Sequence, residues 1–351
     1  MRRWIVTSDQ KWLNKWDEFI FSDKESVFLQ SIGRVDSYRK YGMDWELLIY
    51  MDDQDEKILM GSANIIVKMA FLKIYVCSYG PSISPEFERF EYKDFNAYIE
   101  KFHSRAKELN AFTSQLTISK TFSISENYIS GAIFPPVTCA KYHNIISLCP
   151  DDSTFDKEKL INTFSSNGRR DSRASYRKGL TSKLAKTEDE LKSAYSCIER
   201  NAKEKGYQVR SWKEMNDFII YSTKKENAYL LTAWYEEKLQ GAVLLEKSQN
   251  TLHYTMGGVL RNKPDLLTGY FLQTESMVLA SKLGLQYYDI SYGGPEEVQR
   301  FKRMFNPTLT EPYITIHFKH SNIRYFLFQN LFPVLKKYLS KIIALKQKFL
   351  K

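Results

Sequence analysis

One order of elements occurs twice in this chain of 351 residues, and it narrows the folds open to it. In the first half, 45–51 (WELLIYM) and 58–69 (ILMGSANIIVKM) read as strands joined by the acidic turn Asp52-Asp53-Gln54-Asp55. A third strand at 74–78 (IYVCS) stops at Gly80-Pro81. Residues 95–110 have helical spacing, with Phe95, Tyr98, Ile99, Phe102 and Ala106 on one face, and 112–118 return to a strand. The second half repeats strand, strand, strand, helix, strand at 228–235 (AYLLTAWY), 240–246 (QGAVLLE), 251–257 (TLHYTMG), 269–284 and 287–290 (YYDI). Further helices are expected at 12–21, 188–203 and 212–222. The pattern predicts an α+β chain of two similar domains, 1–149 and 150–318, divided near the turn-prone stretch Cys149-Pro150-Asp151-Asp152-Ser153. Residues 319–351 form a basic tail.

Charge and composition limit the partners. Fifty-one basic residues face 41 acidic ones, a net charge of +10, which favours polyanions or an anionic membrane face. The 23 tyrosines and 22 phenylalanines can fill cores or line a groove. Cys77, Cys139, Cys149 and Cys197 contain no CxxC pair, and no spacing of His103, His143, His253, His317 and His320 resembles a zinc site, so no metal is expected. MRRWIVTSDQKW lacks the apolar region of a secretory signal, and no stretch approaches the ~18 apolar residues of a membrane span. The expectation is a cytoplasmic protein, peripheral on the inner membrane face if it meets a membrane.

Three segments carry a resemblance. Phe28-Leu29-Gln30-Ser31 with Gly42 resembles the Leu-Gln-Ser opening of Fem-type (FemABX) peptidoglycan aminoacyltransferases. That family places a tryptophan and a basic residue before the glycine. Here Arg34 and Tyr38 stand near those positions, followed by Arg39 and Lys40. The stretch 168–179 (GRRDSRASYRKG) is similar to the arginine-rich opening of the second Fem domain. Tyr288-Asp289-Ile290-Ser291-Tyr292-Gly293-Gly294, followed by Phe301-Lys302-Arg303-Met304-Phe305, resembles the family's Tyr-Asp, glycine loop and Phe-Lys-x-x-Phe. Asn306-Pro307 replaces the glycine that usually comes next.

The resemblance implies two tandem GNAT-like acyltransferase domains, with mixed central sheets flanked by helices. It also implies transfer of an amino acid from aminoacyl-tRNA to the amine of a lipid-linked or nucleotide-linked peptidoglycan precursor. Lys302 would stabilise the oxyanion, Asp289 would orient it or take up a proton, and Tyr254 would line the groove. Arg169, Arg170, Arg173, Arg177 and Arg39 would bind phosphate, with Phe301 and Tyr292 beside the substrate. The bland alternatives are a surface lysine paired with Glu296 or Glu297, a turn-forming aspartate, a core tyrosine and a solvated basic helix face. No cofactor is expected. The place of a CoA-binding turn reads RNKPDLLTG (261–269), with one glycine and with Pro264 lacking an N–H. An N-acyltransferase using a thioester donor on an envelope or exopolysaccharide precursor is the alternative activity, and a non-catalytic membrane or RNA module the alternative class.

The tail has eight lysines and arginines, no acidic residue and apolar residues at helical spacing after Pro333. Such a segment is suited to an anionic membrane surface, each lysine contributing about 1 kcal/mol. The alternative is a helix docked on the second domain. Deleting 333–351 is expected to abolish co-sedimentation with anionic vesicles without unfolding the enzyme. Equal sedimentation of the truncated and whole proteins rules the tail out as an anchor.

Overall fold

The computed structural model describes residues 2–22, 27–69, 72–84, 92–137, 140–149, 155–248, 250–261 and 264–330. Up to residue 149 the chain forms β1 (Arg2–Thr7), α1 (Gln10–Ser22), α2 (Ile32–Asp36), β2 (Asp44–Asp52), β3 (Lys57–Met69), β4 (Leu72–Cys77), β5 (Ser82–Ile83), α3 (Tyr92–Glu108), β6 (Thr113–Ser119), β7 (Ile129–Ser130) and β8 (His143–Ser147). The second run opens with α4 (Lys157–Thr163), α5 (Ser166–Arg177), β9 (Thr181–Leu184), α6 (Glu188–Lys205) and α7 (Trp212–Lys224). It continues with β10 (Ala228–Tyr235), β11 (Lys238–Lys247), β12 (Thr251–Val259), α8 (Thr268–Lys282), β13 (Tyr287–Asp289), α9 (Glu296–Arg303), β14 (Thr308–Thr310) and β15 (Tyr313–Lys319).

The repeated order is real. In each half three antiparallel strands lead through a crossover helix to a parallel fourth: β2, β3, β4, α3, β6 and then β10, β11, β12, α8, β13. The result is an α+β protein with two mixed sheets flanked by helices. The expected face of α3 is its buried one, with Phe95, Tyr98, Ile99, Phe102 and Ala106 packed on the first sheet. Helix α6 begins in a capping box between Thr187 and Glu190 and ends at left-handed Gly206, which explains its sharp limits.

Sheet membership cuts across the expected division at 149/150 and 318/319. A crossover strand leaves one edge unpaired, and each half fills that edge with a strand from beyond the division. β8 pairs with β13 and β14 in the second sheet, while β15 returns to pair with β6 in the first. Helical structure resumes at 322, where Tyr325 packs against Phe112 and receives or gives a hydrogen bond at His317 Nε2 (2.7 Å). The start of the tail therefore docks on the first sheet, not on the second domain. Residues 331–351, which carry most of the expected membrane segment, lie outside the described residues. Among the described residues no helix is long and apolar enough to cross a membrane.

The two sheets are tied by buried polar contacts. Asp17 on α1 accepts from Tyr221 on α7 (2.9 Å) and from the Ile32 N–H (2.9 Å). Arg34 on α2 meets Glu246 on β11 through both nitrogens of its fork, with Nε at 3.2 Å. Its guanidinium lies over Phe218 and Phe28. Burial pushes the Glu246 carboxyl up, and Arg34 opposes that shift. Removing one partner of such a pair strands a buried charge, so Arg34→Met is expected to destabilise folding by about 3–5 kcal/mol in urea denaturation. The double change Arg34→Met with Glu246→Leu should recover most of the loss. A single variant as stable as the parent shows that the pair does not hold the halves together.

Candidate functional site

β12 and β13 are parallel, yet they pair only from Thr251 and Tyr287 to His253 and Asp289. β12 runs on to Val259 while β13 ends at Asp289, so the parallel pairing stops there and the chain turns away. The chain leaves β13 through a tight loop in which Ser291, Gly293 and Gly294 all have positive φ, and then enters α9. Two of those three positions being glycine lets the loop turn without steric cost. The turn brings Lys302 on α9 back against that loop.

Lys302 is the buried residue of α9, 5% exposed. Its Nζ donates to Ser291 Oγ (2.7 Å) and to the Gly293 carbonyl (3.3 Å). It stands 5.8 Å from the centre of the Tyr254 ring. Burial pushes the Lys302 amine down to about 8, with the Asp289 charge opposing. Burial also pushes the Tyr254 hydroxyl up to about 12, so it stays protonated at neutral pH.

Asp289 ends β13 and is 3% exposed. Burial alone would raise its carboxyl, but hydrogen bonds from His143 and His253 outweigh that and hold it well below the usual carboxylate range. His143 Nδ1 lies 2.7 Å and His253 Nδ1 3.2 Å from Oδ2. Oδ1 accepts the N–H groups of Asn144 (3.2 Å) and Ser291 (2.8 Å). His253 Nε2 meets Ser248 Oγ (3.0 Å), which takes the N–H of Phe28 from the first half (3.2 Å).

The structure thus brings Lys302, Asp289 and Tyr254 together. It seats Phe301 elsewhere: its ring packs edge-on against Tyr270 and Phe305, clamping α9 to α8. Tyr292 is 44% exposed at the rim, beside Tyr142. Arg39 lies in a different cleft of about 460 Å³ between α1, α2 and α7, against Asp36 (3.3 Å) and Trp45.

The arginine run forms α5, whose Gly168 sits so close to the Met304 carbonyl that a Cβ would come within 2.1 Å of it. Arg169, Arg173 and Arg177 recur at four-residue steps along this helix, but two of the three are engaged within the protein. Arg169 turns back to the Phe164 carbonyl (2.8 Å), and Arg173 reaches Glu158 (3.1 Å) and Asn162 (2.7 Å) on α4. Arg177 is exposed, and Arg170 is exposed beside Asp171. Glu296 is bound by Arg303, not by Lys302. Sequence reasoning missed His143, His253, Ser248 and Ser291. Only strand register joins the histidines to Asp289, since they stand 146 and 36 residues from it.

No protein-family model and no curated protein matches the chain. Among solved structures it is similar to FemX, with a TM-score of 0.73 at 12% identity over 92% of this chain and 99% of that one. A conserved protein of unknown function from Bacteroides thetaiotaomicron gives 0.61 at 10% identity over 90% and 99%. The C-terminal domain of a putative lysylphosphatidylglycerol synthetase from Agrobacterium fabrum gives 0.53 at 10% identity over 87% and 91%. The chain has the Fem-type tandem GNAT-like fold.

The low amine value at Lys302 has a stability consequence with a definite sign. Below about pH 8 the lysine is charged in both states, and the folded state bears the full cost of burying it. That cost fades as pH rises from about 8 toward the ordinary value near 10.5, because only the unfolded state then binds the proton. Lys302→Met should therefore be more stable than the parent at pH 7, by on the order of 1–3 kcal/mol. The difference should vanish above pH 10.5 in paired urea melts. A gap that does not change with pH would show that Lys302 is not held in this state.

Proposed function

We propose that this Fem-like tandem GNAT fold is an acyltransferase that moves an amino acid from aminoacyl-tRNA to the amine of a peptidoglycan precursor peptide. The observation that carries the reading is Lys302: a buried amine against the loop after β13, held by neutral acceptors and facing the Tyr254 ring. The fold shared with FemX and the Tyr-Asp, Phe-Lys-x-x-Phe segment support it further.

In this reaction the acceptor nitrogen attacks the ester carbonyl of the donor. A C–N bond forms, negative charge gathers on the carbonyl oxygen, and the C–O bond to the ribose then breaks. The proton lost by the amine ends on the released ribose oxygen. Lys302, as an ammonium, stabilises the oxyanion. Asp289 holds the Ser291 N–H and so positions the loop whose Ser291 Oγ and Gly293 carbonyl orient the lysine. The Tyr254 ring stands beside the lysine with its hydroxyl protonated. Arg177, exposed on α5, would meet the phosphates of either substrate, and Arg170, exposed on the same helix but paired with Asp171 (2.8 Å), would have to give up that partner to do the same.

A CoA donor fits less well. The N-terminal end of α8 is where a pyrophosphate would need free N–H groups. Here the Leu267 N–H is taken by the Asp265 carboxylate (2.8 Å), whose charge repels phosphate.

The test is incubation of the purified chain with charged tRNAs and peptidoglycan precursors, following labelled amino acid into the precursor. Lys302→Ala should lower transfer about 10²–10³-fold, the usual worth of one oxyanion donor, while its circular dichroism stays unchanged. Full activity in that variant would remove Lys302 from the mechanism. Transfer from acetyl-CoA with none from tRNA would replace the proposed donor.

A further inference from the structure

We propose that His143, His253 and Asp289 form a binding site for one divalent transition-metal ion of the zinc class. The proposal does not depend on the reaction proposed above.

The sheet places the three side chains on one face. His253 is directly opposite Asp289 across β12 and β13, and Asp289 is directly opposite Ile145 on β8. His143 stands two residues from Ile145, so the pleat turns it to the same side, at the open end of the sheet. The donors converge. Both Nδ1 atoms address the same carboxylate oxygen, and all three candidate ligand atoms lie within 4.8 Å of one another. Bonds of ~2.0–2.1 Å around a tetrahedral zinc set ligands about 3.4 Å apart. The present 2.7 and 3.2 Å separations need to open by only a fraction of an ångström.

The outer ring nitrogens have partners that suit a metal-bound tautomer. His143 Nε2 lies 3.1 Å from the Ala140 carbonyl and His253 Nε2 lies 3.0 Å from Ser248 Oγ. With a hydrogen on each Nε2, both Nδ1 lone pairs are directed at the Asp289 carboxylate, and a metal ion takes the place of the Nδ1 hydrogens that otherwise bond it. The surroundings have the form of an outer shell: a carbonyl and a hydroxyl on the two outer ring nitrogens, and the Asn144 and Ser291 N–H groups on the second carboxylate oxygen. Both histidine side chains keep 12% of their surface exposed, enough for an ion to enter. Three protein donors leave one tetrahedral position for water or a substrate oxygen, as in catalytic zinc sites.

Ser248, His253 and Asp289 also stand in the order of a hydrolytic triad. Ser248 is buried beneath Phe28, with its Oγ already receiving the Phe28 N–H, so it is poorly placed as a nucleophile.

The experiment uses the full chain without a metal-affinity tag. Elemental analysis of protein grown with added zinc should find about one ion per chain. After treatment with chelator, calorimetric titration with zinc chloride should show one site, and the melting temperature should rise with zinc. Cobalt(II) should give the visible absorption of a tetrahedral site with nitrogen and oxygen ligands. His143→Gln and His253→Gln, which keep a hydrogen-bonding group and spare the fold, should each weaken zinc binding at least 10–100-fold, the range seen even for outer-shell changes. Wild-type protein that neither retains nor binds zinc overturns the proposal. So does undiminished zinc affinity in both folded variants.

Discussion

The second sheet is organised around one buried carboxylate. Asp289 is almost wholly out of water, and an ionised carboxylate there is tolerable only if its oxygens are fully engaged. Four groups meet that demand, from three pieces of chain: His143 and the Asn144 N–H from β8, His253 from β12, and the Ser291 N–H from the loop after β13. Satisfying Asp289 therefore fixes three things at once. It pulls a strand from before residue 150 into the second sheet, ends the pairing of β12 with β13, and sets the loop that receives Lys302. The histidine–carboxylate cluster and the lysine are two outcomes of the same local constraint.

That constraint reaches the first half through a row across the sheet. Glu246 is opposite His253, which is opposite Asp289, so the three lie on one face in neighbouring strands. The first half covers this row. Arg34 neutralises Glu246, and Phe28 lies against His253 while its N–H bonds Ser248. The rest of the Leu-Gln-Ser segment does structural work nearby. Gln30 bonds both backbone groups of Ala63 on β3, and Ser31 caps α2. A segment first read as part of a family opening is thus the seam between the two sheets. Polar contacts this deep tolerate little misplacement, since a half-satisfied network is costly.

Much of the architecture was legible in the sequence, and the limits are physical. The repeated order could be read because long apolar runs and the face of α3 depend only on local periodicity. β8, β14 and β15 were not read: β8 and β14 are short, and the partners of all three are distant in sequence. Lys302 and Asp289 were legible through a motif, Tyr254 through its strand, and the three do come together. Phe301 and the arginines show where a motif falls short. The ring of Phe301 is used to clamp α9, and Arg169 and Arg173 are taken up by acceptors around α4 that no four-residue spacing reveals. The histidines carried no signal at all, because register alone brings them to Asp289.

The placement of the lysine explains why the carboxylate beside it does not disarm it. Lys302 and Asp289 are close enough for their charges to interact, yet no ion pair joins them. The lone pairs of Asp289 are already committed to histidines and backbone N–H groups, and the ammonium is committed to a hydroxyl and a carbonyl. A contact ion pair would hold the ammonium against a full negative charge and leave little of its field for anything else. Neutral acceptors orient it without cancelling it, and in a site of low dielectric that uncancelled charge is strong. The same choice costs stability, because a buried amine without a paired anion is easier to deprotonate. Burial brings the lysine down to about 8 at that cost, and in the proposed transfer the uncancelled charge is what would meet a developing oxyanion.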